Sequence, residues 1–132
     1  MSHSRQTAEK RGRNAEVLAA LLLRLKGYRI LERRFRSKRG EIDIIAKQGG
    51  DLVFVEVKTR SDNLFGSPFD SITAQKQKQL SKVALEYIGK QGCHDRPARF
   101  DVVGIEFQEG SNTLQDAAVE LLQNAFDLCY DN

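Results

Sequence analysis

Cysteine and histidine are scarce in this 132-residue chain, with two of each. Cys93 and Cys129 lie far apart in the sequence and fit no metal-ligand spacing, so they read as reduced, incidental thiols. With His3 and His94 as the only imidazoles, nothing resembles the ligand pattern of a structural zinc site. Also missing is any apolar run near the roughly 20 residues that a membrane-spanning helix needs. The opening Met1-Ser2-His3-Ser4-Arg5 lacks the hydrophobic centre of a secretory signal. The expected compartment is therefore the cytoplasm, with no membrane partner. No internal repeat, low-complexity tract or linker interrupts the chain, and its length suits one folding unit covering residues 1–132.

What the chain has in quantity is charge: 30% of residues are charged against 40% hydrophobic, the balance of a globular protein. The net charge of +3 hides an asymmetry. Residues 1–40 carry 12 Lys/Arg and 3 acids, whereas residues 41–132 carry 9 and 15. A polycationic front is what a phosphate backbone would select, because each neutralised phosphate releases counterions. Charge alone fits a solvated basic surface equally well.

Residues 7 to about 26 read as a helix, with Thr7 as cap, Glu9 in the first turn, Leu18, Leu21, Leu22 and Leu25 as its core stripe, and Gly27 as its stop. Tyr28 to Phe35 reads as a strand whose outer face is basic, closed by a Ser37-Lys38-Arg39-Gly40 turn. Two β-rich runs, Glu41–Lys47 and Leu52–Thr59, flank Gly49-Gly50 and form a hairpin. Either a two-residue or a four-residue loop gives paired positions that sum to 99, so Asp43 faces Glu56 and Glu41 faces Lys58. After a loop with Gly66, Ser67 and Pro68, a second helix runs from about Thr73 to Gly89 with Leu80, Val83, Ala84, Tyr87 and Ile88 buried. A strand from about Arg99 to Phe107 follows. Its right-handed crossover places it parallel to the Glu56 strand. Leu114 to Leu128 reads as a third amphipathic helix. The expected class is α/β, a mixed central sheet flanked by helices in the order α-β-β-β-α-β-α.

Alternation on the hairpin puts Ile42, Ile44, Val53, Val55 and Val57 on one side. Glu41, Asp43, Ile45, Phe54, Glu56 and Lys58 then take the other, with the two facing carboxylates roughly 5 Å apart. Like charges that close need a proton or a cation. Mg²⁺ commonly takes one or two carboxylates plus waters and a substrate phosphate, which suits Asp43 and Glu56. Lys58, two residues on, could hold the phosphate or orient a water. An exposed sheet face with a Glu41–Lys58 ion pair accounts for the same pattern. Glu16 lies opposite the leucine stripe, beside Gly12, Ala19, Ala20 and Leu23, where small neighbours permit close approach to the same pocket. A plain surface glutamate is the alternative. Lys76, four residues before Leu80, offers a further phosphate contact. Gln75 and Gln79 are its companions, in a run that also serves as a hydrophilic helix start.

Gly12-Arg13-x-Ala15-Glu16, Gly27-Tyr28, Arg39-Gly40-Glu41-Ile42-Asp43-Ile44-Ile45, Val53-Phe54-Val55-Glu56-Val57-Lys58-Thr59-Arg60, Phe65-Gly66-Ser67-Pro68 and Arg99-Phe100-Asp101-Val102-Val103 form a specific set. Together, over about Ala8 to Ile105, they resemble the YraN-like family of uncharacterised bacterial proteins. That family is similar to archaeal Holliday-junction resolvases and to the wider PD-(D/E)xK group. The resemblance implies a restriction-endonuclease-like domain. Asp43 matches the first acid of the motif, Glu56 the second, Lys58 its lysine, and Glu16 the helix-borne acid of the resolvase-like branch. Ile42 stands where the motif has proline.

The implied activity is Mg²⁺- or Mn²⁺-dependent hydrolysis of a DNA phosphodiester, in branched or recombination intermediates. Asp43, Glu56, Glu16 and the Val57 carbonyl are the expected metal ligands, and Lys58 stabilises developing charge. Arg33, Arg34, Arg36, Lys38, Arg39, Arg60 and Lys76 are the expected backbone contacts. The partner is a nucleic acid, DNA before RNA, and resolvase kinship implies a homodimer. Two other readings stay open. One is a nuclease-like module that binds nucleic acid without cutting. The other is a protein-interaction domain with no nucleic-acid role.

Overall fold

The computed structural model describes residues 2–61, 69, 72–107 and 117–128. Helix α1 (Ser2–Leu25) is followed by strands β1 (Arg29–Ser37), β2 (Gly40–Gln48) and β3 (Asp51–Ser61). Helix α2 (Ala74–Gln91), β4 (Ala98–Phe107) and β5 (Ala117–Phe126) complete the order. The five strands form one mixed sheet in the order β1-β2-β3-β4-β5, with only β3 and β4 parallel. The architecture is the expected restriction-endonuclease-like α/β arrangement, with the last element changed. Side chains of residues 2–11 and the segment holding Gly66, Ser67 and Pro68 lie outside the described residues.

Both faces of the sheet are covered. On one, α2 lays Leu80, Val83, Ala84, Tyr87 and Ile88 over Ile45, Leu52, Phe54, Phe100 and Val102. On the other, α1 packs Ala15, Ala19 and Leu23 against Ile44, Val53, Val55 and Val103. Coverage on both sides explains why β3 and β4 are nearly continuous runs of aliphatic residues. Helix α2 begins where Thr73 accepts the Lys76 N–H at 3.1 Å and ends at Gly92, whose left-handed φ of 65° supplies the cap. Gly40, at φ 146°, turns β1 into β2 so close to α2 that a Cβ there would lie 3.1 Å from the Gln79 Nε2.

The hairpin register is the expected one over Ile44↔Val55 to Gln48↔Asp51, where every pair sums to 99. Three expectations are corrected. The leucine stripe holds only in part: Leu18 and Leu22 pack, partly buried, on the α1 layer, but Leu25 is 85% and Leu21 46% exposed, and the buried face is Ala15, Ala19, Ala20 and Leu23. Small residues win that face because they let the helix axis lie close on the sheet. Second, Ile42 does not share a side with Ile44; it packs in the α2 layer with Ile45 while Ile44 faces α1. Strict alternation fails because the paired ladder stops at Ile44↔Val55. Third, residues 117–126 form an antiparallel edge strand on β4 and not a helix. Ala117, Val119 and Leu121 alternate toward the α1 layer, a period-2 pattern that the leucine and alanine spacing disguised. Pairing also satisfies backbone groups on β4 that would otherwise be left open in a buried strand. No helix among the described residues is long and apolar enough to cross a membrane.

Candidate active site

Where the β2–β3 ladder stops, side chains replace backbone. Val57 donates its N–H to the Asp43 carboxylate at 2.8 Å, and the Asp43 amide in turn supports the Glu56 carboxylate. This reciprocal exchange pins two acids side by side, with Glu56 only 5% exposed. Burial pushes the Glu56 carboxyl up to about 8, and the neighbouring Asp43 charge pushes the same way. Lys76 and Lys58 oppose that rise without cancelling it. Burial likewise raises Asp43, against the Val57 bond, with Glu41 and Glu16 adding to the rise. Among the described residues the buried Glu56 Oε1 has no hydrogen-bond partner. A buried carboxylate oxygen left open is costly and marks either a held proton or a place for a cation.

Most of the residues picked from sequence are brought together here. Asp43, Glu56, Lys58, Lys76, Glu41 and Glu16 all belong to one electrostatic cluster. Lys58 and Lys76 are half-buried, the first on β3 and the second in the first turn of α2. Glu16 reaches the cluster because α1 lies close on its alanine face. It is held by Arg34, whose Nε and Nη2 each approach both carboxylate oxygens at 2.9–3.1 Å. Arg33 adds a longer contact at 3.8 Å. Among the described residues no group of three or more His, Cys, Asp or Glu is assembled as a metal cage. With Glu16 engaged by Arg34 and Glu41 by Arg36, Asp43 and Glu56 are left, and two carboxylates are within the number Mg²⁺ ordinarily takes from a protein.

The basic residues do not form one open track. Arg36 pairs with Glu41 at 2.9 Å and Arg39 with Glu86 at 3.8 Å, so Glu41 turns to Arg36 and not to Lys58 as the ion-pair alternative required. Gln79 donates to the Arg39 carbonyl at 3.0 Å, which docks the turn carrying exposed Lys38 and Arg39 onto α2. Arg60 lies on β3, with its side chain outside the described residues.

A second cluster went unread in the sequence. Asp101, fully buried on β4, accepts from the Tyr28 hydroxyl, from the Arg99 Nε at 3.0 Å and from the Asn124 N–H at 2.8 Å. Arg99 also reaches Asp51 and Gln48. Gln123 donates to the Tyr28 hydroxyl at 2.9 Å. The available signal was an Arg-Phe-Asp triplet opening a strand otherwise made of core residues. Its charges are satisfied within the knot, and Arg99 and Asp101 stand across from Val53 and Val55, ahead of Lys58 on β3.

Residues 15–105 match the family described as "Uncharacterised protein family UPF0102". That stretch contains the acid cluster, Arg34, Lys76 and the Arg99–Asp101 pair. A UPF0102 protein of Pelobacter propionicus is 44% identical over 131 residues, covering 98% of this chain and 91% of that protein. One from Moorella thermoacetica is 43% identical over 120 residues, covering 91% and 98%. A third, from Trichlorobacter lovleyi, is 48% identical over 116 residues, covering 87% and 88%. With a family profile that matches across the acid cluster and the Arg99–Asp101 pair, and relatives that align over most of their lengths, the chain belongs to the UPF0102 family.

Proposed function

We propose that this protein is a divalent-metal-dependent nuclease that hydrolyses phosphodiesters in DNA, including branched repair or recombination intermediates. The observation that carries the reading is the buried Glu56 Oε1, unpartnered among the described residues, beside a second, half-buried acid, Asp43. The chemistry of this pair fits Mg²⁺ or Mn²⁺: hard oxygen donors, raised carboxyls that a cation would hold ionised, and lysines close by. Asp43 and Glu56 would hold the ion, with the Val57 carbonyl as a neutral companion. When bound, the cation supplies Lewis acidity toward the phosphoryl group and a more acidic water.

The protein's own groups do the rest. Lys58, on the strand of Glu56, is placed to neutralise charge that grows on the phosphoryl oxygens as the water–phosphorus bond forms and the ester bond breaks. Lys76 approaches from the N-terminal turn of α2, the helix end that favours anions. Exposed Lys38 and Arg39, on a turn that Gln79 and Gly40 hold against α2, suit the flanking backbone without reading sequence. Kinship with junction resolvases within the PD-(D/E)xK group, and a two-fold dimer for paired cuts, belong to the same proposal.

The test is a cleavage screen over junction, flap and linear DNA with Mg²⁺ and Mn²⁺, comparing wild type with Asp43→Ala and Lys58→Ala. Cutting by the wild type alone is expected. Binding by all three with cleavage by none assigns a non-cutting nucleic-acid module. Binding that hardly changes between low and moderate salt removes nucleic acid from the account altogether.

A further inference from the structure

Glu16 and Arg34 were assigned separately, one to the cation and the other to the backbone, yet they are bound to each other. We propose that Arg34 is the residue that meets the substrate phosphate at the cutting site, and that Glu16 is its positioning residue and not a ligand of the cation. The proposal rests on the nuclease reading above.

Three observations carry it. The Arg34 fork occupies both oxygens of Glu16 at 2.9–3.1 Å, so ligation of a cation by Glu16 would require breaking a bidentate pair. The backbone of Arg34 is left-handed, at φ 54°, a conformation that a long side chain adopts only when its surroundings impose it. It also upsets the alternation of β1: neighbours in a strand point to opposite faces, but Arg33 and Arg34 both reach Glu16. Finally, the irregular residue stands at the site. Arg33 pairs with Ile44 and Phe35 with Ile42, so the position across from Arg34 is Asp43. The charges of Asp43 and Glu41 act on the Arg34 guanidinium accordingly.

An arginine carries five N–H donors, and Glu16 takes the Nε–H and part of Nη2. The remaining donors lie in a plane that Glu16 fixes, in a side chain that is 51% exposed. A planar fork of this kind matches two oxygens of one phosphate, which a lysine ammonium does not. Glu16 therefore acts on the substrate through Arg34.

The experiment combines Mn²⁺ calorimetry on the metal-free full-length chain with anisotropy of labelled junction DNA in Ca²⁺, for wild type, Asp43→Asn, Glu16→Gln, Arg34→Ala, Arg34→Lys and the Glu16→Gln/Arg34→Ala double variant. Melting curves identify any variant that fails to fold, and Arg34→Lys keeps the charge should Arg34→Ala not fold. Glu16→Gln is expected to keep Mn²⁺ affinity within about threefold while Asp43→Asn loses at least about tenfold. DNA affinity is expected to fall about tenfold in Glu16→Gln and in Arg34→Ala. Arg34→Lys should not restore it, and the double variant should be no weaker than Arg34→Ala alone. Equal loss of Mn²⁺ in Glu16→Gln and Asp43→Asn makes Glu16 a ligand and overturns the proposal, as do additive losses in the double variant. If Asp43→Asn leaves Mn²⁺ binding intact, it is the cation site and the nuclease reading that fall, and the DNA cycle alone then decides whether Glu16 acts through Arg34.

Discussion

Glu56 folds into a place where its proton is retained. Its carboxyl sits at about 8 in the folded chain against 4.5 ordinarily, so the metal-free folded state holds a proton that the unfolded chain gives up. The associated stability is complete below about pH 4.5 and is lost as pH climbs toward 8. Glu56→Gln, which keeps the shape without the charge, is expected to exceed the metal-free wild type at pH 8 by on the order of 3 kcal/mol. That margin should shrink toward pH 5. Thermal melts at several pH values measure it, and a wild-type melting temperature that does not respond to pH over this range contradicts it. Asp101 is buried as deeply but accepts from three residues, Tyr28, Arg99 and Asn124. Asp101→Ala takes their acceptor from the Tyr28 hydroxyl and the Asn124 N–H and leaves Arg99 with Asp51 as its carboxylate partner, and is expected to cost about 3–5 kcal/mol in denaturant unfolding. Tyr28→Phe removes the hydroxyl that donates to Asp101 and accepts from Gln123, and should cost about 1–2 kcal/mol.

At the scale of elements, the hairpin was legible because Gly49-Gly50 and two aliphatic runs fix its register as far as Ile44↔Val55; Asp43 and Glu56 meet just beyond the ladder, where Asp43 takes the Val57 N–H. The second helix was equally plain, its stripe and its Thr73 cap standing clear of each other. The first helix misled because hydrophobicity and burial parted company. Its leucines are more apolar than its alanines, but the sheet accepts the face that approaches nearest, and that choice brought Glu16 inward. Leu23→Ala is expected to cost about 2–5 kcal/mol, and Leu25→Ala less than about 0.5 kcal/mol. Denaturation of the two variants side by side tests the corrected face, and the reverse order would reject it. Strand β5 was illegible for another reason. Ala, Leu, Gln and Glu favour helices locally, and only the open side of β4, set by residues far away, makes that segment extend. Nothing in the sequence announced that Arg34 would adopt a left-handed backbone either, since that arises from contacts with Glu16 on another element.

Across the whole molecule, the division of charge between a basic front and an acidic remainder is partly cancelled by internal pairing: Glu41 and Glu86 each hold an arginine of the first forty residues. A cation entering beside Asp43 and Glu56 must also displace protons. Mg²⁺ or Mn²⁺ is therefore expected to raise the melting temperature more at pH 8 than at pH 6, and to release protons detectable in weakly buffered calorimetry. A stabilisation that is independent of pH would place the ion elsewhere.

The knot around Asp101 also ties together distant parts of the chain: Tyr28 before β1, Gln48 and Asp51 at the hairpin turn, Arg99 on β4, and Gln123 and Asn124 on β5. During synthesis from the N-terminus, the earlier strands emerge while Asp101 still lacks the Asn124 donor. Closure of the knot must then wait until Asn124 has left the ribosome.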